Sequence, residues 1–351
     1  MQNFHDFHFH TFDNHLDNHR RTHFLRSNRT ALLAGISSLL VCASFITAIL
    51  IGKYPISLTA LLAGDRMAIR TFWILRLPRA LMALFGGFAL GIAGFVYQTI
   101  FGNPLASPDI IGVSSGASAG AAFAILFVSS SMIGTTIFAF LGGLLAVCIS
   151  LGLSALAPGK SRSSIVLAGI AVHALAQTVL MFLKLTADPE KELASIEYWI
   201  MGSLGGVTLS KIPFSIAVIC LCCALIFSLH RHLLMLSVQE EEARMLGISV
   251  GTMRMALLFV ATFAVSAVVS VTGLISFVGL LAPHTARMLC GHNRRSCCFL
   301  SGTIGSFLLL TADTLAKGIA KTELPVSIFT SLLGAPFLIY LILAKREEAT
   351  R

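Results

Sequence analysis

The sequence predicts an all-α polytopic membrane protein of about ten transmembrane helices. Three observations carry that expectation. The chain is 56% hydrophobic and 12% charged, with a mean hydropathy of +0.86; ordinary soluble domains carry about 25% charged residues. Residues 110–159 contain no Asp, Glu, Lys or Arg, and at about 20 residues per crossing that run holds two spans. Strands alternating apolar and polar residues are absent, which argues against a barrel and leaves helices to satisfy the backbone in lipid.

The elements follow in order. Residues 1–30 are polar and punctuated by His5, His8, His10, His15, His19 and His23. They read as a disordered cytoplasmic tail with no cleavable signal. Histidine-rich tracts bind metals, but the spacing fixes no geometry, and no metal site is assigned. Crossings are expected over 31–52, 80–101, 110–130, 133–156, 164–186, 212–229, 254–272, 274–291, 297–316 and 325–344. Gly87 and Gly91 are four apart, as are Gly112, Gly116 and Gly120. That spacing sets them on one face and lets backbones approach closely. Pro283 and Pro336 fall within the eighth and tenth crossings and are expected to break or kink them, because proline removes a backbone donor. His173 and His284 read as neutral packing residues. Cys220, Cys222 and Cys223 lack the second pair that a metal site requires. The permease body is thus 31–345, with a short tail at 346–351.

Charge sets the orientation. An even number of crossings puts both termini on one side. With the termini cytoplasmic, fifteen Lys and Arg lie inside and ten outside, in line with the positive-inside bias. The net charge of +9 reads as orientation and lipid contact; no aromatic-interleaved basic patch suggests nucleic acid.

Two energy sources look absent from this chain. Gly159-Lys160-Ser161 resembles the end of a phosphate loop, but Ser154 stands where the motif requires glycine and no βαβ unit precedes it. Ion-coupled carriers place carboxylates within spans; here Asp313, near a span end, is the nearest case. Neither a nucleophile–base pair nor a metal-ligand set appears, so no catalytic residue is assigned. The segment 230–254 is the largest charged island between spans. Its Glu240, Glu241, Glu242, Ala243, Arg244, Met245, Leu246 and Gly247 form about two helical turns. Acids stand at the dipole's positive end, Ala243 permits close approach, Met245 and Leu246 offer an apolar contact, and Gly247 suits a C-cap. Such an island reads as a water-exposed docking helix.

Four segments together resemble a known family. They are Arg76-Leu77-Pro78-Arg79; Gly102-Asn103-Pro104-Leu105-Ala106-Ser107-Pro108-Asp109 with Ile110 to Ala117; Glu242 to Gly247; and Ile275 to His284 with Glu323-Leu324-Pro325 and Leu333-Gly334-Ala335-Pro336. In this order, from about residue 55 to 344, they are similar to the iron-chelate (siderophore or haem) and vitamin B12 class of ABC-transporter permeases, the type II importers.

The resemblance implies a ten-helix subunit in the bacterial inner membrane, paired with a second permease around a central path. Two ATPase subunits, which alone bind ATP, would dock on the loop at 240–247; this chain would bind no cofactor. An extracytoplasmic binding protein would deliver an iron chelate. Arg76, Arg79 and Lys317 match the basic positions that meet acids of that binding protein. Lys317 replaces an arginine and cannot form the same bidentate fork. Asn103 and Leu105 match the cytoplasmic gate. Vitamin B12 and molybdate are alternative cargoes, and an ion-coupled carrier is the alternative class.

Overall fold

The computed structural model describes residues 30–52, 54, 63–128, 132–157, 162–237, 242, 245, 249–291, 295–319 and 324–349. The histidine-rich tail and most of the acidic docking segment lie outside the described residues. Among the described residues no strand occurs. The principal helices are α1 Thr30–Leu50, α2 Arg66–Phe101, α3 Val113–Val128, α4 Met132–Leu156, α5 Arg162–Thr186, α6 Ile212–Ser228, α7 Val250–Thr272, α8 Val278–Cys290, α9 Arg295–Gly318 and α10 Val326–Ala349. They fall where the ten crossings are expected. The upper end of the bundle carries residues 63–65, 187–211, 319 and 324–325; the lower end carries 102–112, 229–237 and 291.

Helix α2 is the spine. It is buried along most of its length and packs on α6, α7, α8 and α9. Small residues explain the closeness. A Cβ placed on Gly91 would lie 2.1 Å from the Ser301 carbonyl oxygen, and one on Gly87 would lie 2.5 Å from that of Gly305. Gly116 and Gly120 meet α4 in the same way: their Cβ positions would fall 2.6 Å from the Gly142 oxygen and 2.2 Å from the Phe138 oxygen. Lipid supplies no hydrophobic drive between helices, so such close packing does the holding. The predicted glycine faces are therefore packing faces. Peripheral α1 and α5 turn leucines, isoleucines and phenylalanines outward.

Three expectations are corrected. The second crossing starts earlier than residue 80, at Arg66, through a π-helical turn over Thr71–Arg76. The third is entered through a 3₁₀ turn, Pro108–Ile111, and a left-handed Gly112, so its helix begins at Val113. Neither Pro283 nor Pro336 interrupts its helix. Pro283 has no N–H for the Gly279 carbonyl four residues back. That carbonyl faces Gly94 of α2, where a Cβ would come within 1.7 Å of it. The carbonyl that the proline leaves without a donor thus lies where two backbones touch.

The break lies just before, at residues 273–277. This stretch is non-helical. It begins at the upper end, where Gly273 rests on the Trp199 carbonyl, and reaches Gly279 beside Leu90 and Gly94 of α2. Phe277 has φ 66°, the one positive value outside glycine among the described residues, and its ring packs on Gly334 of α10. The loop at Gly202–Ser203 and the first turn of α10 clasp the start of the stretch. Ser203 N–H donates to Thr272 O at 2.7 Å, Val326 N–H to Gly202 O at 3.0 Å, and Ser327 Oγ to Leu274 O at 2.6 Å. Gly202, with φ 69°, has room for no side chain: a Cβ would lie 1.9 Å from Leu274 O.

Candidate functional site

The non-helical stretch at 273–277 interrupts the backbone ladder between α7 and α8, and polar side chains gather beside it. It borders a cavity of about 240 Å³ whose polar wall is Ser107, Asp109, Ser114 and Ser276. Ser114 Oγ donates to Asp109 Oδ1. This polar break was invisible to hydropathy, because Ile275, Phe277 and Val278 read as helix interior. Below it, Gln98 Nε2 donates to Leu280 O at 3.0 Å. Arg287 donates to Gln98 Oε1 and, at 3.0 Å, to Thr99 Oγ1, with its guanidinium 4.9 Å from the Phe95 ring centre. Arg287 thereby ties α8 to α2 at the lower end, a role the sequence did not reveal.

A second cavity, about 530 Å³, opens at the upper end between α3, α4, α7 and the short helix Ala194–Ile200. Thr135, Thr136, Ser195 and Tyr198 give it hydroxyls, and Lys211 gives it a cation. Lys211 Nζ donates to Gly206 O at 3.2 Å, and partial burial lowers its pKa. The short helix is tied to α5 by Lys184 and Glu197 at 2.8 Å.

The structure places the three expected docking cations inside the bundle. Arg79 and Arg76 are each 5% exposed and Lys317 is 9% exposed. Arg79 Nε donates to Asp313 Oδ1 at 2.6 Å, and Lys317 Nζ lies 2.6 Å from Asp313 Oδ2. Asp313 is fully buried. Lys317 also donates to Ala48 O at 3.1 Å. Arg76 donates to the carbonyls of Ile49 (2.5 Å), Leu50 (2.6 Å) and Tyr54. It thus satisfies carbonyls that the last turn of α1 leaves without intrahelical partners. These residues weld α1, α2 and α9 together. Isolated charge in an apolar bundle must find a countercharge or a carbonyl, and each of these three side chains does so.

At the lower end, Asn103 and Leu105 are exposed, Leu105 by 55%. The Asn103 side chain accepts the Leu105 N–H at 2.9 Å, a local turn that holds the loop before α3. Within the docking segment, Glu242 and Met245 are helical and exposed, Met245 by 80%. Glu240, Glu241, Ala243, Arg244, Leu246 and Gly247 lie outside the described residues. The segment leaves the bundle through the helix His230–Met235, and Arg162 Nη2 donates to Leu236 O at 3.0 Å just beyond it. His230 is 5% exposed and neither ring nitrogen has a hydrogen-bond partner. Burial lowers its pKa, and Arg295 nearby lowers it further. Among the described residues no cluster of His, Cys, Asp and Glu could hold a metal ion.

This geometry has close relatives. The chain is 33% identical over 315 residues to the molybdate import system permease of Haemophilus influenzae, covering 87% of this chain and 93% of that one. It is 37% identical over 287 residues to the hemin transport system permease of Yersinia pestis, covering 79% and 84%. Among solved structures, it matches a metal-chelate-type ABC transporter in an inward-facing conformation with TM-score 0.80 and 32% identity, covering 90% of this chain and 99% of the other. The sequence profile of the FecCD transport family matches residues 39–344. These matches and the all-α bundle agree with a multi-pass ABC-transporter permease, and the chain belongs to the FecCD transport family.

Proposed function

We propose that this chain is the translocation subunit of an importer that carries an iron chelate, siderophore or haem, into the bacterial cytoplasm. It pairs with a second permease subunit and with two ATPase subunits, which bind and hydrolyse the ATP. An extracytoplasmic binding protein delivers the chelate to the upper end. Both termini face the cytoplasm.

The observation that carries the reading is the placement of Glu242 and Met245. They are helical, exposed and attached to the lower end, opposite the Arg79–Asp313–Lys317 weld. An acidic and apolar turn presented there fits a docking helix for a driving subunit. Between the two ends, the polar break at 273–277 offers a few hydroxyls and one carboxylate. Such a sparse wall passes a bulky chelate without trapping it. Asn103 and Leu105 are exposed at the lower end, which supports a role for them in narrowing the exit.

The test is purification from native membrane in mild detergent, followed by uptake of labelled ferric siderophore, haem, cobalamin and molybdate. An ATPase subunit should accompany the chain. Changing Arg244 and Gly247 together, Arg244→Ala with Gly247→Arg, should uncouple uptake while the permease still assembles. Unchanged uptake would sink the coupling assignment. Uptake of cobalamin or molybdate alone would replace the cargo and keep the importer. Transport that survives loss of the ATPase and fails with an uncoupler would replace the class.

A further inference from the structure

Helix α1 lies at the edge of the bundle and turns Leu32, Leu39 and Ile46 outward, each more than half exposed. In a bilayer that face meets lipid. At the lower end of α1 a cavity of about 550 Å³ opens between α1, α6 and α9. Its polar side is Arg295 with the hydroxyls of Thr30 and Ser296. Its apolar side is Ala31, Ala34, Phe227 and Phe299. The two sides are ordered by depth. Thr30, Arg295 and Ser296 stand in the first turns of α1 and α9, while Ala34 and Phe299 lie one turn further into the apolar spans.

The charge of this cavity is one-sided. Arg295 is exposed and forms no ion pair with a described residue. None of the described lining residues is acidic. Both α1 and α9 run upward from the cavity, so both turn the positive ends of their dipoles toward it. Close by sits His230, three residues after Phe227, 5% exposed and with no hydrogen-bond partner on either ring nitrogen. Arg295 is near enough to lower the pKa of that ring. A buried polar group without a partner calls for an explanation. Here an unpartnered imidazole, a cation and two hydroxyls gather at one cavity, and together they suit an anion with several oxygens.

The order by depth decides which anion. A free phosphate would use the polar side alone. A phospholipid uses both sides, with its phosphate in the first turns and its acyl chain one turn deeper. Basic pockets between spans at headgroup level take anionic lipids in this way, and a guanidinium meets a phosphate through paired, charge-assisted hydrogen bonds. We propose that this cavity is a binding site for an anionic phospholipid: Arg295, Thr30 and Ser296 hold the phosphate, His230 adds a donor, and Ala34 and Phe299 carry the start of the acyl chain. Both leaflets offer such phosphates, so the site does not depend on the orientation proposed above.

The test uses the full-length permease, freed of lipid in mild detergent and titrated with phosphatidylglycerol or phosphatidylcholine. Bound lipid is counted by native mass spectrometry. One phosphatidylglycerol should be retained at concentrations where phosphatidylcholine is not. Arg295→Ala should weaken that retention at least about fivefold, the factor one basic residue contributes at a headgroup surface. His230→Phe should weaken it as well, and Arg295→Lys should recover most of the loss. Arg231→Ala removes an exposed cation at the same end and should leave retention as in the wild type. Unchanged retention in Arg295→Ala or in His230→Phe overturns the site. So does an equal loss in Arg231→Ala, which would reduce the effect to attraction by surface charge. Glycerol phosphate separates the two sources of phosphate: displacement of the lipid by an equal concentration of it would assign the cavity to a soluble anion and overturn the lipid assignment.

Discussion

Arg79 and Asp313, 234 residues apart in sequence, meet through a 2.6 Å hydrogen bond between Nε and Oδ1, and both are buried. Lys317, one turn along α9 from Asp313, brings a second cation to the same carboxylate. The set is held by one acid between two bases.

Removing that acid should be costly. Asp313→Asn leaves two buried cations without their counterion, a change of about 3–5 kcal/mol in comparable buried sets. Thermal unfolding of the purified permease in detergent should show it as a clear drop in midpoint. Replacing all three together by apolar residues of similar volume should recover much of the loss, as removing a whole buried set often does. A triple variant as unstable as Asp313→Asn would show that the charges themselves are needed.

The pair Lys184–Glu197 has similar length, 2.8 Å, but half-exposed partners. Glu197→Gln should change stability by less than about 1 kcal/mol. The same unfolding assay compares the two carboxylates directly, and equal losses would contradict burial as the cause.

Glycine substitutions should divide sharply. Gly91→Val places methyls against the Ser301 carbonyl and must push α9 off α2. Folded yield should collapse, as read by size-exclusion chromatography. Gly35→Ala and Gly152→Ala, where nothing lies within 4 Å of the added carbon, should elute as wild type does.

His230 should make the lower end acid-sensitive. Burial, then Arg295, lowers its pKa below the ordinary value near 6.5. The folded state therefore favours the neutral ring. Its stabilising share is complete above about pH 6.5 and is lost as pH falls through the lowered value, because the unfolded chain binds the proton first. Unfolding midpoints measured between about pH 7.5 and 5 should fall for the wild type and fall less for His230→Phe. Parallel curves would assign the acid sensitivity to other groups. His232, two residues along the same short helix, serves as the control variant.

Hydropathy located every crossing to within a turn or two except where charge or conformation intervened. The start of α2 escaped because Arg66, Arg70, Arg76 and Arg79 depress hydropathy over 66–79, although two of the four are buried. The break at 273–277 escaped because its residues are apolar, and a left-handed Phe277 leaves no mark in composition. Pro283 pointed to a freed carbonyl at Gly279, but the neighbour that carbonyl meets, Gly94, lies far away in sequence. At the site, the spacing of Asp313 and Lys317 was readable as one helix turn. Arg79 as their third member was not, since only the packing of α2 on α9 brings it there. Of the segment 240–247, expected from its charge and its glycine to be a docking turn, the described residues are Glu242 and Met245, both helical and exposed.

The unwound stretch between α7 and α8 has a mechanical consequence. Bending a continuous helix means breaking the carbonyl–amide ladder that stiffens it. Here that ladder is already interrupted, and its loose end is stitched at Gly202, Leu274 and Ser327. α7 and α8 each pack on α2, but the backbone between them is a non-helical link pinned at its start. No continuous helical rod joins them, so a displacement of one helix is not carried to the other as a rigid tilt.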